Sequence, residues 1–270
     1  YHVFDVHCPY TPPAPYLNLY SQDYQGPSRL LRLCGVTEWD DFSLSNSDIE
    51  YVAANYDADV RYTDEHLGEL FQMLETFGLS ENTIVVLLSD HGEELMEHGR
   101  IGHGTTLYDE VLRVPLIIRI PNEPAPGRRI DHLVRLIDVA PTLLDLVGIE
   151  PPSVFQGISL VPLLRGDQTA RLTALAETEF YSRLRHSLYQ DGHHFILSTL
   201  TNEMELYDLG SDLLEQKNLV HNEGSLTHAM EAELHRMLEQ AQAAGSRYQA
   251  RSLVYDEEHA KQLRALGYAD

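Results

Sequence analysis

The chemistry-bearing part of this sequence is the run Ser89-Asp90-His91-Gly92-Glu93-Glu94, directly after the apolar stretch Ile84-Val85-Val86-Leu87-Leu88. A carboxylate beside an imidazole is a metal-ligand pair suited to several divalent ions. Neighbouring residues cannot share a face of a continuing strand, but on a turn leaving one they can converge, and Gly92 permits that turn. Ligands of open α/β sheets bind beyond the carboxyl ends of strands, which is where this pair falls. The other reading is that Asp90 caps a following helix, with His91 solvated beside it.

A little further on, Glu97-His98-Gly99-Arg100-Ile101-Gly102-His103-Gly104 adds two His-Gly pairs. Histidines each followed by glycine can bring imidazoles close to one another and to an anion. As an isolated loop the segment would read as turns with incidental histidines, but it lies between two apolar strands at the sheet edge expected for Asp90. Glu110 and Arg113 are spaced to pair and hold that loop, a structural role.

Positioning these residues requires a layered α/β domain. Ser47, with Glu50 as capping-box partner, predicts the start of a long helix. Val52, Tyr56, Val60, Leu67, Leu70, Phe71 and Leu74 form its apolar stripe, and Gly78 ends it. The runs Ile84–Leu88 and Val114–Ile118 are apolar on both faces, the pattern of strands in a covered parallel sheet. Asp138 is expected to cap a short helix from Val139 to Val147 that ends at Gly148. The fold class is therefore α/β, a mostly parallel sheet covered by helices, followed by a smaller α+β subdomain with antiparallel strands. The boundary is placed at Glu150-Pro151-Pro152, giving parts 1–150 and 151–270. In the second part, Ala174–Phe180, Arg185–Tyr189, His194–Ser198 and Glu203–Tyr207 are the expected strands. Helices are expected around 226–244 and 256–266.

Nineteen Lys and Arg against 42 Asp and Glu leave a net charge of −23. Such a surface repels phosphate backbones and anionic headgroups, which argues against nucleic-acid and membrane-surface partners. An anionic substrate is still admissible where a metal or cationic groups reverse the sign locally. No apolar stretch is long enough to span a membrane. Cys8 and Cys34 are too few for a disulfide framework. The chain opens at Tyr1 in an extended-looking run, Tyr1–Val6, expected to be a strand entered partway through a domain.

At this point the residues resemble a family, the sulfatases of the alkaline-phosphatase-like superfamily. The resemblance rests on Ser89-Asp90-His91-Gly92-Glu93, His103-Gly104, Leu107-Tyr108-Asp109-Glu110 and Arg113–Arg119. His7-Cys8-Pro9-Tyr10 is similar to the family's His-x-Pro-Tyr segment. Asp138–Leu144, Gly157–Leu160 and Leu206-Tyr207-Asp208-Leu209 with Glu215, Asn218 and Leu219 resemble its later signatures.

The resemblance implies a divalent-metal site with Asp90 and His91 as ligands, calcium first among the candidates and manganese or zinc also open. It implies that His7 contacts the sulfate ester, and that His103 stands where many sulfatases have a substrate-contacting lysine. The implied activity is sulfuric ester hydrolysis on a small-molecule or saccharide sulfate ester, in a periplasmic or secreted protein. The family's nucleophile motif, Cys/Ser-x-Pro-x-Arg with conversion to formylglycine, does not occur here: Cys8 precedes Pro9-Tyr10-Thr11, and Cys34 precedes Gly35-Val36-Thr37. The expectation is a fragment lacking the nucleophile segment, inactive by itself. A phosphodiesterase, phosphonate-ester hydrolase or phosphoglycerol transferase on the same scaffold, or a non-catalytic sulfatase-like protein, are the competing readings.

Overall fold

A 31-residue helix frames the first part of the chain in the computed structural model. The structure describes every residue except 22–23, 28–29, 31–43, 124–126, 168–170, 181–182, 247–256, 258, 260 and 262–270. Contacts divide the chain into two units, Tyr1–Glu231 and Ala232–Asp270. The helices are α1 (Ala14–Leu17), α2 (Asn46–Thr76), α3 (Asp109–Leu112), α4 (Val139–Leu146), α5 (Val161–Leu164) and α6 (Gly224–Gly245). The strands are β1 (Val85–Leu88), β2 (Glu94–Leu95), β3 (Ile101–Gly102), β4 (Leu116–Arg119), β5 (Ala174–Phe180), β6 (Arg183–Gln190), β7 (His193–Ser198) and β8 (Glu203–Asp208). No helix among the described residues is long and apolar enough to cross a membrane. In the second unit Arg236 Nε pairs with Glu233 Oε2 at 2.7 Å along α6.

Helix α2 begins two residues earlier than the Ser47 expectation. Ser45 is the N-cap and Asp48 completes the capping box: Asp48 N–H donates to Ser45 Oγ at 3.3 Å, and Ser45 N–H donates to Asp48 Oδ2 at 2.9 Å. Ser-x-x-Asp satisfies the same two orphan donors as Ser-x-x-Glu, so the earlier pair takes the end. Gly78 ends the helix region with φ +66°, a left-handed conformation that a side chain would strain. Of the expected apolar stripe, Val52 is buried, whereas Val60 and Phe71 are exposed.

The N-terminal part of α2 packs into a core of Cys8, Tyr10, Leu30, Val52 and Ile101, bordered by Tyr24, Tyr51, Tyr56, Leu95 and Met96. This core joins the segment after His7, α2 and the β2–β3 pair. Tyr10 is fully buried and meets Tyr56 edge to face at 5.5 Å. Thr11 N–H donates to Asp59 Oδ2 at 3.0 Å, fastening the same segment to α2. Residues 1–4 form no strand; a turn, His7 N–H to Phe4 carbonyl at 3.0 Å, leads into the core instead. An extended run becomes a strand only with a ladder partner.

β1 pairs antiparallel with β4, from Val85 opposite Arg119 to Leu88 opposite Leu116. A mostly parallel sheet was the expectation from these two runs; apolar composition on both faces reports intended burial and carries no information about direction. β5 to β8 form a four-stranded antiparallel sheet in sequence order, close to the four segments expected. Asp191-Gly192 and Asn202 make its turns with positive φ. The second C-terminal helix expected around 256–266, and Cys34, lie largely or wholly outside the described residues.

Asp138 precedes α4 but its side chain does not cap it. The fully buried carboxylate instead accepts from Arg135 Nη2 at 2.8 Å, Arg135 Nε at 3.0 Å, and the Ile158 N–H at 2.9 Å. The guanidinium fork and the loop amides of Arg135 and Ile158 together occupy both oxygens, so the carboxylate is not left to cap α4. Gly157 lies so close to the Ile137 carbonyl that a Cβ would stand 1.9 Å from its oxygen. Removing one partner of a buried pair strands the other, so Asp138→Ala should lower stability by about 3 kcal/mol. Arg129→Ala, which breaks an exposed pair with Asp131, should leave the urea midpoint unchanged. Equal effects in urea denaturation would show that Asp138 holds nothing together.

Candidate active site

Three segments bring imidazoles to one place. Cys8 and Tyr10 point into the core, which leaves His7 between them and solvent. His91 sits on the turn leaving β1, and His103 directly follows β3. The ring centroids of His91 and His103 are 3.8 Å apart in a stack, His7 and His103 are 4.9 Å apart, and His7 and His91 are 6.1 Å apart. One ligand nitrogen from each ring lies within 4.8 Å of the others.

Asp90 is exposed, and its Oδ1 accepts the His91 N–H at 3.1 Å and lies 3.9 Å from His91 Nε2. The chain leads from here into β2, so the helix that Asp90 would have capped is not formed. Gly92 makes the turn. Its N–H donates to the Val111 carbonyl at 2.7 Å, and a Cβ on it would stand 2.1 Å from the Glu110 carbonyl oxygen. Only glycine allows this crossing of two backbones.

Each imidazole is oriented through Nδ1. That nitrogen meets the Cys8 carbonyl at 2.5 Å in His7, the Gly92 carbonyl at 3.0 Å in His91, and Glu93 Oε1 at 3.0 Å in His103. Carbonyl oxygens only accept, so His7 and His91 carry their proton on Nδ1, and each keeps an Nε2 lone pair. The nearly buried Glu93 takes its second hydrogen bond from the Tyr10 hydroxyl at 2.9 Å. Burial and the neighbouring Glu93 push the Tyr10 phenol far above its ordinary range, so it stays the donor. Glu93 and Tyr10 are parts of the site that sequence reasoning did not assign a role, although both stand inside motifs it singled out.

His98, the other His-Gly histidine, serves the scaffold. Its ring stacks on Tyr108 at 3.6 Å, Nδ1 meets Glu110 Oε1 at 2.6 Å, and Nε2 donates to the Glu215 carbonyl at 3.2 Å. The Glu110–Arg113 pair expected from sequence is thereby replaced. Glu110 turns inward to His98, and Arg113 reaches Asp109 at 3.5 Å, four residues back on one helical face. Glu94 is fully buried and accepts from Arg100 N–H at 2.8 Å, Thr106 Oγ at 2.8 Å and His98 N–H at 3.2 Å, which fixes the loop leading to His103.

The antiparallel sheet braces this loop from β5, β6 and β7. Thr178 Oγ donates to the Gly104 carbonyl at 2.6 Å, and Tyr189 donates to Asp109 Oδ1 at 3.1 Å. Glu215 is buried, accepts the Asp109 N–H at 2.7 Å, and pairs with the His194 ring. The signal for Glu215 was its place in the late signature; its buried partners, far away in sequence, gave none.

Comparisons with known proteins fit this geometry. Residues 1–149 match the family described as Sulfatase, and residues 97–244 match the family described as N-sulphoglucosamine sulphohydrolase, C-terminal. The chain is 34% identical over 202 residues to N-acetylglucosamine-6-O-sulfatase of Bacteroides thetaiotaomicron, covering 70% of this chain and 35% of that protein. The structure of BT4656 in complex with its substrate D-glucosamine-2-N,6-O-disulfate is similar with a TM-score of 0.64 and 29% identity, over 76% of this chain and 44% of that one. The phosphonate monoester hydrolase of Agrobacterium radiobacter shares the fold, with a TM-score of 0.71 and 22% identity, over 87% of this chain and 55% of that one. The chain spans about a third of the length of the first curated relatives it matches, 35% and 37%.

Two outcomes follow from the loop packing. Gly92→Ala should destabilise the protein by about 2 kcal/mol or more, because backbone, not a flexible side chain, blocks the new methyl. A urea midpoint equal to the parent's would refute the crossing. The second outcome is a pH dependence. Burial raises Asp59 to about 7 against the Thr11 hydrogen bond, and raises Glu94 and Glu110. Burial lowers His98, but its bonds to Glu110 and the Glu215 carbonyl outweigh this and leave it raised. A raised folded pKa means the folded state binds the proton more tightly, so stability falls as pH rises. The carboxylates lose it upward from about pH 4, and His98 from about pH 6.5. Urea midpoints should therefore fall from about pH 5 to 8, and Asp59→Asn should reduce the fall below about pH 7; a flat or rising profile would contradict these assignments.

Proposed function

Because the chain belongs to the sulfatase family, we propose that it supplies His7, Asp90, His91 and His103 to a metal-dependent site that hydrolyses sulfate esters. The carrying observation is the convergence of three imidazoles from separate segments beside a carboxylate at the end of β1. Asp90 and His91 suit the divalent ion: their Oδ1 and Nε2 lie 3.9 Å apart, a span that two donors to one ion can share. When bound, the ion would act as a Lewis acid on the ester's oxygen.

The chain's own groups do the rest. His7 and His103 are held through Nδ1, which leaves each Nε2, when it carries a proton, to donate to a sulfate oxygen or to the leaving oxygen. Glu93 holds the His103 ring in place through Nδ1. The nucleophile, a formylglycine in this reading, comes from outside these 270 residues, since no Cys/Ser-x-Pro-x-Arg occurs within them. A small sulfated saccharide is the favoured substrate class. The relative named above by sequence is an N-acetylglucosamine-6-O-sulfatase, and a net charge of −23 disfavours long polyanions.

The test is hydrolysis of an aryl sulfate by this chain and by the natural protein extended upstream, co-expressed with a formylglycine-generating enzyme. The chain alone should show no turnover. The extended protein should be active, lose activity on chelation, and lose about a hundredfold in kcat on His103→Gln. Metal-dependent turnover by the 270 residues alone, or an extended protein that prefers phosphodiesters, would overturn the reading.

A further inference from the structure

We infer that His7, His91 and His103 together form a site for one borderline transition-metal ion, zinc being the representative, and that this ion competes with the ester for His7 and His103. The competition rests on the function proposed above; the site itself does not.

The three rings are prepared as ligands in a way that proximity alone does not require. A metal-binding histidine ordinarily gives its other ring N–H to a carboxylate or a backbone carbonyl, which fixes tautomer and orientation. All three do so here: His7 to the Cys8 carbonyl, His91 to the Gly92 carbonyl, and His103 to the Glu93 carboxylate. Two of those acceptors belong to the residue immediately following the histidine, so the local backbone itself sets each ring. The third is a nearly buried carboxylate, itself held by Tyr10. Among the described residues this is the group of three such side chains whose donor atoms lie within 4.8 Å of one another.

The donor chemistry selects the ion. Three neutral imidazoles suit zinc and its neighbours in the transition series, whereas calcium takes six to eight oxygens. Nitrogens around a tetrahedral zinc lie about 3.4 Å apart, so no pair here must close by more than roughly 1.4 Å. The side chains of His91 and His103 are 27% and 25% exposed, which leaves them freedom to turn. Asp90 stands 3.9 Å from His91 Nε2 and can complete the set. The buried charge of Glu93 offsets part of the ion's charge, and a net charge of −23 draws cations to the surface. An ion held by all three rings occupies the Nε2 atoms that a sulfate ester would use.

The experiment titrates the 270-residue chain with Zn²⁺, Mn²⁺ and Ca²⁺ by calorimetry, and with Co²⁺ by visible absorption as a reporter of coordination. Folding of each variant is checked by circular dichroism. One Zn²⁺ should bind more tightly than Mn²⁺ and far more tightly than Ca²⁺. His7→Gln and His103→Gln should each weaken Zn²⁺ more than about a hundredfold. Glu93→Gln, which keeps all three ligands and the packing, should weaken it about tenfold or more. The Co²⁺ spectrum should show the intense bands of low coordination and lose them in His103→Gln. Zn²⁺ affinity indifferent to His7 and His103, preference for Ca²⁺, or no binding by the folded chain would each overturn the inference. None of those results bears on sulfate-ester hydrolysis by the extended protein, whose failure would remove the competition and leave the ion site standing.

Discussion

The arrangement depends first on the place where Gly92 crosses the chain at Glu110 and Val111. One hydrogen bond, Gly92 N–H to the Val111 carbonyl at 2.7 Å, and one contact with no room for a Cβ define it. The crossing sends Asp90 and His91 to one side of the turn and Glu93 and Glu94 into the protein. Glu93 then reaches His103 and Tyr10, while Glu94 collects the amides of the loop that carries His103. Because the crossing is backbone on backbone, it has little freedom to relax. The backbone that carries the imidazole cluster inherits that rigidity, while the rings themselves stay partly exposed.

The excess of carboxylates is put to structural use. Glu93, Glu94, Asp138 and Glu215 are buried or nearly so, and each accepts at least two hydrogen bonds. Their partners differ with their tasks. Asp138 meets a guanidinium and behaves as a fixed ion pair. Glu94 meets amides and a hydroxyl, so burial is less fully offset and its carboxyl is raised. Glu93 and Glu215 meet imidazoles, and through them the acidic composition reaches both the candidate site and its brace. In a chain with few cations, histidine is the partner that buried carboxylates most often find here, as His98 with Glu110 also shows.

What could be read from sequence, and what could not, divides along physical lines. The strands β5 to β8 were legible because alternation and turn residues are local signals, and the backbone obeys both. His7, His91 and His103 were legible as motif members, and the structure brings them together. The acceptors that orient them were not, since a backbone carbonyl looks alike in every residue. Arg135 on Asp138, and His98 on Glu110, are partnerships chosen by burial, which a capping or spacing rule cannot foresee. The direction of the β1–β4 pair was hidden for the same reason: composition describes a face, not a neighbour. Ser45 displaced Ser47 as the cap because Asp48 completes a box with it that is also held by Tyr24, a contact from outside the helix.

The antiparallel sheet is best understood as part of the site's support. The two family matches, 1–149 and 97–244, overlap over the segment that runs through His98, His103 and Asp109. That segment is the one whose polar groups are shared between both parts of the first unit. Its upstream half is satisfied by Glu94, next to the Gly92 crossing. Its downstream half is satisfied by Glu215, Tyr189 and Thr178, from the sheet and the turn after it. Buried amides and carbonyls without these partners would each cost about 1–3 kcal/mol, so the loop cannot keep its shape if either side is withdrawn. The position of His103 is therefore a joint product of the turn after β1 and the β5–β8 sheet, and neither could be exchanged without re-aiming its imidazole.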